Sequence, residues 1–144
     1  MSMKLNTKDL SKEDSNIITN IEKEKHRAFL LPILTMGLML IEILLDLFMN
    51  INTFIIVMIT FVFSLVINTY VLYKLTKAKE LTSIVLTAHR NNLNVKKLFD
   101  LNEDKVKKLQ WVKVSWKTYL LEYFMIVSSA YVCVSIAFIS FINQ

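Results

Sequence analysis

The sequence predicts an all-α integral membrane protein with three transmembrane helices, an amphipathic N-terminal helix and a cytoplasmic antiparallel helical stalk between spans two and three. Three observations carry that reading. Residues 28–49, 51–73 and 118–142 are apolar stretches of 22, 23 and 25 residues, and about 20 such residues cross a bilayer as a helix. Hydrophobic residues make up 54% of the chain and the mean hydropathy is +0.45, too apolar for an ordinary soluble domain of 144 residues. All 17 Lys and Arg lie before the first stretch or between the second and third. By the positive-inside rule these regions are cytoplasmic. The expected topology is therefore multi-pass in a cell membrane, with the N-terminus inside and the C-terminus outside.

Taken in order, residues 1–27 form a cytoplasmic segment whose first ten residues carry no periodicity. Ser11 followed by Asp14 fits a capping box, in which hydroxyl and acid satisfy N–H groups left over at a helix start. Ile17, Ile18 and Ile21 recur at helical spacing, so an amphipathic helix is expected over 12–27. The apolar run starts late and has no small-residue cleavage pattern behind it, so the first span reads as an uncleaved anchor. Pro32, one turn inside, is expected to kink or restart it. Asn50, Ile51 and Asn52 read as a tight turn, which makes residues 28–73 a transmembrane hairpin.

Residues 74–117 are expected to form the stalk. Leu81, Ile84, Val85 and Ala88 make one apolar stripe, and Val106, Leu109, Val112 and Trp116 make another. Asn91, Asn92, Leu93 and Asn94 break the pattern between them. Asp100 with Glu103 suggests an N-cap for the second arm, and residues 74–90 and 101–117 would each give a helix of about 25 Å at 1.5 Å per residue. Trp111 and Trp116, beside Lys113 and Lys117, are the residue types that gather where a span enters lipid. Residues 118–144 are the third span and a short external end.

The chemistry is concentrated inside the spans. Glu42 and Asp46 lie four residues apart on one helical face. Measured from the centre of 28–49, Glu42 sits about 5 Å and Asp46 about 11 Å from the midplane. A charged group at depth costs several kcal/mol and normally faces protein or water, yet no Lys, Arg or His occurs in any span. In a tight hairpin Glu42 is level with Ile59 or Thr60. Thr60, Ser64 and Asn68 give the second span a polar stripe, and folding back brings Tyr131 near Thr60 and Glu122 near Asn68. Ser129, Cys133 and Ala137 form a seam of small residues that lets membrane helices approach closely. Glu42, Asp46, Thr60, Ser64, Asn68, Glu122 and Tyr131 are accordingly the candidate intramembrane polar site.

Other chemistries find little footing. His26 and His89 have no further ligand at metal spacing, and the single Cys133 excludes an intrachain disulfide. Gly37 is the one glycine, so a phosphate-cradling loop is excluded. No catalytic cluster is visible, and no metal, cofactor or enzymatic activity is expected. The net charge of +5 is accounted for by orientation and by the anionic inner leaflet, so nucleic acid is not an expected partner; the lipid bilayer, a second copy or another membrane protein is. Lys, Ile and Asn richness suggests an AT-rich genome, hence a low-GC bacterium or its phage. The architecture resembles that of small bacterial accessory, regulatory and immunity-type membrane proteins, in topology alone. The expectation is a non-enzymatic protein acting through helix–helix contacts. The alternative is an oligomeric proton or cation pathway through Glu42 and Asp46.

Overall fold

The structure, a computed structural model, describes residues 10–49 and 52–142. Residues 1–9, two of the three expected turn residues (Asn50 and Ile51), and the terminal Asn143 and Gln144 lie outside that set. Helix accounts for 85% of the described residues and no strand occurs among them, which makes the chain all-α. The order is α1 (Lys12–Met49), α2 (Phe54–Arg90), α3 (Val95–Phe99), α4 (Glu103–Val106), a 3₁₀ turn (Trp116–Tyr119) and α5 (Leu120–Ile142). Three of these helices are long and apolar enough to cross a membrane: α1, α2 and α5 with its leading 3₁₀ turn.

Two compact units divide the chain: an apolar unit of His26–Lys74 with Leu120–Gln144, and a polar unit of Met1–Lys25 with Leu75–Tyr119. Helices α1 and α2 each contribute a stretch to both. The helix expected over residues 12–27, leading into the first span, is the first part of α1. Pro32 lies inside α1 without ending it. Thr35 Oγ1 donates to the carbonyls of Leu31 and Pro32 at 3.3 and 3.0 Å, bonds local to α1, whereas the acceptor that proline deprives of a helical donor is that of Ala28.

In the apolar unit each span buries a seam spaced three or four residues apart. In α1 it runs Ala28, Pro32, Thr35 and Met39; in α5 it runs Ile126, Ser129, Cys133, Ile136 and Ser140. In α2 Val57, Ser64, Asn68 and Val71 are buried, with Thr60 half-buried on the same face. This is the spacing that keeps one narrow face on a neighbouring helix. Met39, Val57, Cys133, Ile136 and Ala137 form the central cluster. Large apolar side chains on the other faces are exposed, among them Phe48 at 81% and Ile55 at 72%, as bilayer-facing positions are.

The polar unit departs from the expected stalk. Its first arm is helical as part of α2, which ends at Arg90. Asn92 takes the left-handed conformation with φ of 54°. Leu93 N–H donates to the Ala88 carbonyl and Asn92 N–H to that of His89, at 2.9 and 3.1 Å, a Schellman ending with asparagine in the place glycine usually holds. Asn94 then caps α3 by accepting from Lys97 N–H at 2.9 Å. The second arm is not a 17-residue helix: only Glu103–Val106 is α-helical, residues 110–115 adopt no helix or turn, and Trp116 opens the 3₁₀ turn. Nor is Asp100 its N-cap. Asp100 closes α3, and Asn102 precedes α4 without a side-chain cap bond.

What replaces the second helix is a chain segment laid along α2. Asn91 Oδ1 accepts from Gln110 N–H at 3.2 Å and Asn91 Nδ2 donates to the Gln110 carbonyl at 3.3 Å. Thr87 Oγ1 accepts from Val112 N–H at 3.0 Å, and Ser83 Oγ donates to the Val112 carbonyl. Ser83, Thr87 and Asn91 recur one helical turn apart, about 6 Å. Two residues of extended chain advance about 6.6 Å, so alternate residues of the segment meet successive turns of the helix. Trp111, Lys113 and Ser115 are exposed while Val112 and Val114 are half-buried. That alternation is a strand pattern, and it overrides the helical stripe of Val106, Leu109 and Val112.

The N-terminal stretch of α1 is tied into the same unit. Ser11 Oγ accepts from Asp14 N–H at 3.2 Å, which is one half of the expected capping box. The Asp14 carboxylate, 3% exposed, instead accepts from Val95 N–H at 3.3 Å at the start of α3. Lys25 holds its ammonium 5.2 Å from the Tyr119 ring centre, and the Tyr119 hydroxyl lies 3.2 Å from Thr82 Oγ1.

Candidate functional site

Heptad-like spacing brings the polar residues of the spans onto the buried seam of the apolar unit. Glu42 follows Met39 by three residues, so its Cβ leaves α1 on the buried side. Thr60 Oγ1 donates to Glu42 Oε1 at 2.7 Å, joining the level at which a tight hairpin places the two residues. Thr53 Oγ1, buried ahead of α2, donates to the Glu42 main-chain carbonyl at 3.2 Å. Thr53 escapes a reading based on span periodicity because it stands in the connection. A hydroxyl directly after the Asn50, Ile51 and Asn52 run that reads as a turn in sequence is the signal that points to it.

A second set of bonds starts one turn further along α2. Asn68 Nδ2 donates to Ser64 Oγ at 3.3 Å, and Ser64 Oγ donates to Cys133 Sγ of α5 at 3.1 Å. Ser64 has no exposed surface and Cys133 has 1%. Ser129 and Ala137, one turn to either side of Cys133, are buried at 7% and 6%, so the predicted small-residue seam is the face α5 buries. Among the described residues, three buried side-chain atoms have no hydrogen-bond partner: Glu42 Oε2, Asn68 Oδ1 and Ser129 Oγ.

The remaining candidates fall elsewhere. Asp46 is half-buried one turn beyond Glu42. Glu122 is half-buried and engaged, but it is not the partner of Asn68, whose amide goes to Ser64. Tyr131 does not line the cluster: it is 73% exposed. Its level along α5 says nothing of its direction, and two residues from both Ser129 and Cys133 put it about 200° round the helix from the seam. Ser135 Oγ donates to the Tyr131 carbonyl at 2.9 Å, a bond internal to α5.

Chemically, this cluster is a set of hydrogen bonds within and between the helices. Hydroxyl, amide and thiol each give one span a directional bond to itself or to a neighbour, at positions where the side chains are small enough for close approach. Among the described residues no three His, Cys, Asp or Glu side chains are grouped to hold a metal ion. Compared with known protein families, curated proteins and solved structures, the chain gives no match.

Proposed function

We propose that this chain is a non-enzymatic membrane protein that acts through helix–helix contacts with a second copy or with another membrane protein, as accessory, regulatory or immunity-type subunits do. The observation that carries the reading is how the spans use their polar groups. Thr60 bonds to Glu42 and Ser64 to Cys133 inside the apolar unit, while the outer faces present large apolar side chains such as Phe48, Ile55 and Phe124. A surface of that kind meets lipid or another apolar helix. Purification in mild detergent under native conditions tests it: the expected result is a stable complex, of like copies or with a defined membrane protein. A strictly monomeric, partner-free chain at native expression level counts against it.

One observation favours a second reading, an oligomeric proton or cation pathway. Glu42 Oε2 is buried without a partner and Asp46 lies one turn away. Three spans alone rarely enclose a path, so the reading requires several copies. In liposomes holding the purified protein, no pH-dependent flux is expected. Flux that Glu42→Gln abolishes, and that changes at surface lysines leave intact, moves the assignment to the pathway.

The proposed orientation puts the N-terminus and the polar unit in the cytoplasm and the C-terminus outside, on the strength of the lysine and arginine distribution. Reporter fusions at Gln144 should read external and fusions at Asn92 cytoplasmic. A C-terminus that reads internal removes one span from the topology and the depth assigned to Glu42 with it. The composition supports a low-GC bacterium or phage as the source.

A further inference from the structure

Residues 110–115 are held by one edge. In extended chain the N–H and C=O of a residue point to the same side, and successive residues alternate sides. Gln110 and Val112 direct both groups at α2, where Asn91, Thr87 and Ser83 take them. The main-chain groups of Trp111 and Lys113 therefore face away from α2. Among the described residues they meet no hydrogen-bond partner. The segment is thus extended chain bonded on one side by helix side chains and open on the other.

The side chains around that edge select what it can pair with. Trp111 is 50% exposed, and an exposed Trp beside an open edge is a ready anchor for a partner. From Lys105 to Lys117 the chain carries five lysines and no acid. Two copies paired edge to edge would set these positive charges against one another, an arrangement that is destabilising. The charge that fits is negative. A groove of about 480 Å³ between the segment and α2, lined by Lys79, Lys113, Ser83 and Thr76 with Glu80 as its one acid, sets a second ammonium group near that of Lys113.

We propose that the open edge of residues 110–115 pairs, as an added β-strand, with an extended acidic segment of a partner protein. Main-chain bonds from Trp111 and Lys113 supply the pairing, Trp111 packs over the added strand, and the surrounding lysines set the preference for acid. This contact is independent of any made by the spans.

The test uses the full chain in detergent with Trp116→Phe, so that Trp111 alone reports. The probe is a synthetic peptide alternating Glu with Val and Thr. Its controls are a Lys/Val peptide and the same acidic peptide with proline at its centre, which keeps the charge and breaks the pairing. The acidic peptide should shift Trp111 emission and both controls should not. Lys113→Gln removes one charge; Lys113→Pro also removes the outward N–H, which no described residue takes, and should bind about tenfold more weakly than Lys113→Gln. Equal binding by the proline-interrupted peptide, or by the two variants, means that charge alone acts and overturns the proposal. So do cross-linking between copies through Trp111→Cys, which makes the occupant a second chain, and quenching of Trp111 by nitroxide-labelled lipid in anionic nanodiscs, which makes it the bilayer.

Discussion

Met39→Ala is expected to weaken the apolar unit more than any other single truncation in its seam. Met39 has no exposed surface and stands at the centre of the cluster with Val57, Cys133, Ile136 and Ala137. In a water-soluble core this change costs about 2–5 kcal/mol, part transfer and part cavity. In lipid the transfer part shrinks, because the exposed alternative is also apolar, and the stabilisation at stake is mainly van der Waals packing. A loss of about 2 kcal/mol remains, at the lower end of that range. Unfolding by SDS titration from mixed micelles should show a lower midpoint for Met39→Ala and an unchanged one for Phe48→Ala, whose side chain is 81% exposed. An equal loss at Phe48 means that a second layer of helix covers the outer face, and the single-chain account of the seam then fails.

The second large effect is expected from Ser83→Ala combined with Thr87→Val. These changes remove the donor to the Val112 carbonyl and the acceptor of the Val112 N–H. Thr87 itself is fully buried, and valine fills its volume without offering the oxygen. The loss should be about 1–3 kcal/mol for the pair, since the released groups regain water. Amide exchange at Val112 should accelerate by about tenfold or more, and trypsin should cut after Lys108 and Lys113 sooner than in the unaltered chain. If the Val112 amide exchanges at its original rate, the segment is held by something other than the α2 ladder.

The two changes probe parts of the molecule that differ in how openly the sequence declares them. The spans are legible because lipid imposes one requirement over some twenty residues, and composition alone meets it. The Glu42–Thr60 level is legible as well. A tight turn fixes how far each residue lies from the hairpin's end, and 1.5 Å per residue does the rest. Azimuth is another matter. Tyr131 sits on the outside because the face α5 buries is chosen by close packing of Ser129, Cys133 and Ala137, and the Asn68 amide turns to Ser64 on its own helix rather than to Glu122. Depth is a one-helix property; facing is a property of three.

The second arm shows the limit more sharply. Val106, Leu109, Val112 and Trp116 fit a helix period, while Trp111, Val112, Lys113, Val114 and Ser115 alternate as a strand does. Local periodicity weighs these about equally. The choice falls to Ser83, Thr87 and Asn91, which recur at one turn on α2 and give an extended backbone the hydrogen bonds it cannot make with itself. Asp14 is a similar case. Its spacing from Ser11 suits a capping box, but its carboxylate goes to Val95, 81 residues away.

An all-α chain with three helices able to cross a membrane, the separation of every Lys and Arg from the apolar stretches, and the level at which the first two spans exchange a polar contact were all legible in the residues alone. These follow from length, hydropathy and rise per residue, which act along the chain. Contacts between distant parts of the chain settled which faces of α1, α2 and α5 are buried, where the carboxylates of Glu42 and Asp14 find their hydrogen bonds, and that the segment after α4 lies extended rather than helical. Each of those outcomes depends on a hydrogen bond or a close packing partner contributed by a residue distant in sequence.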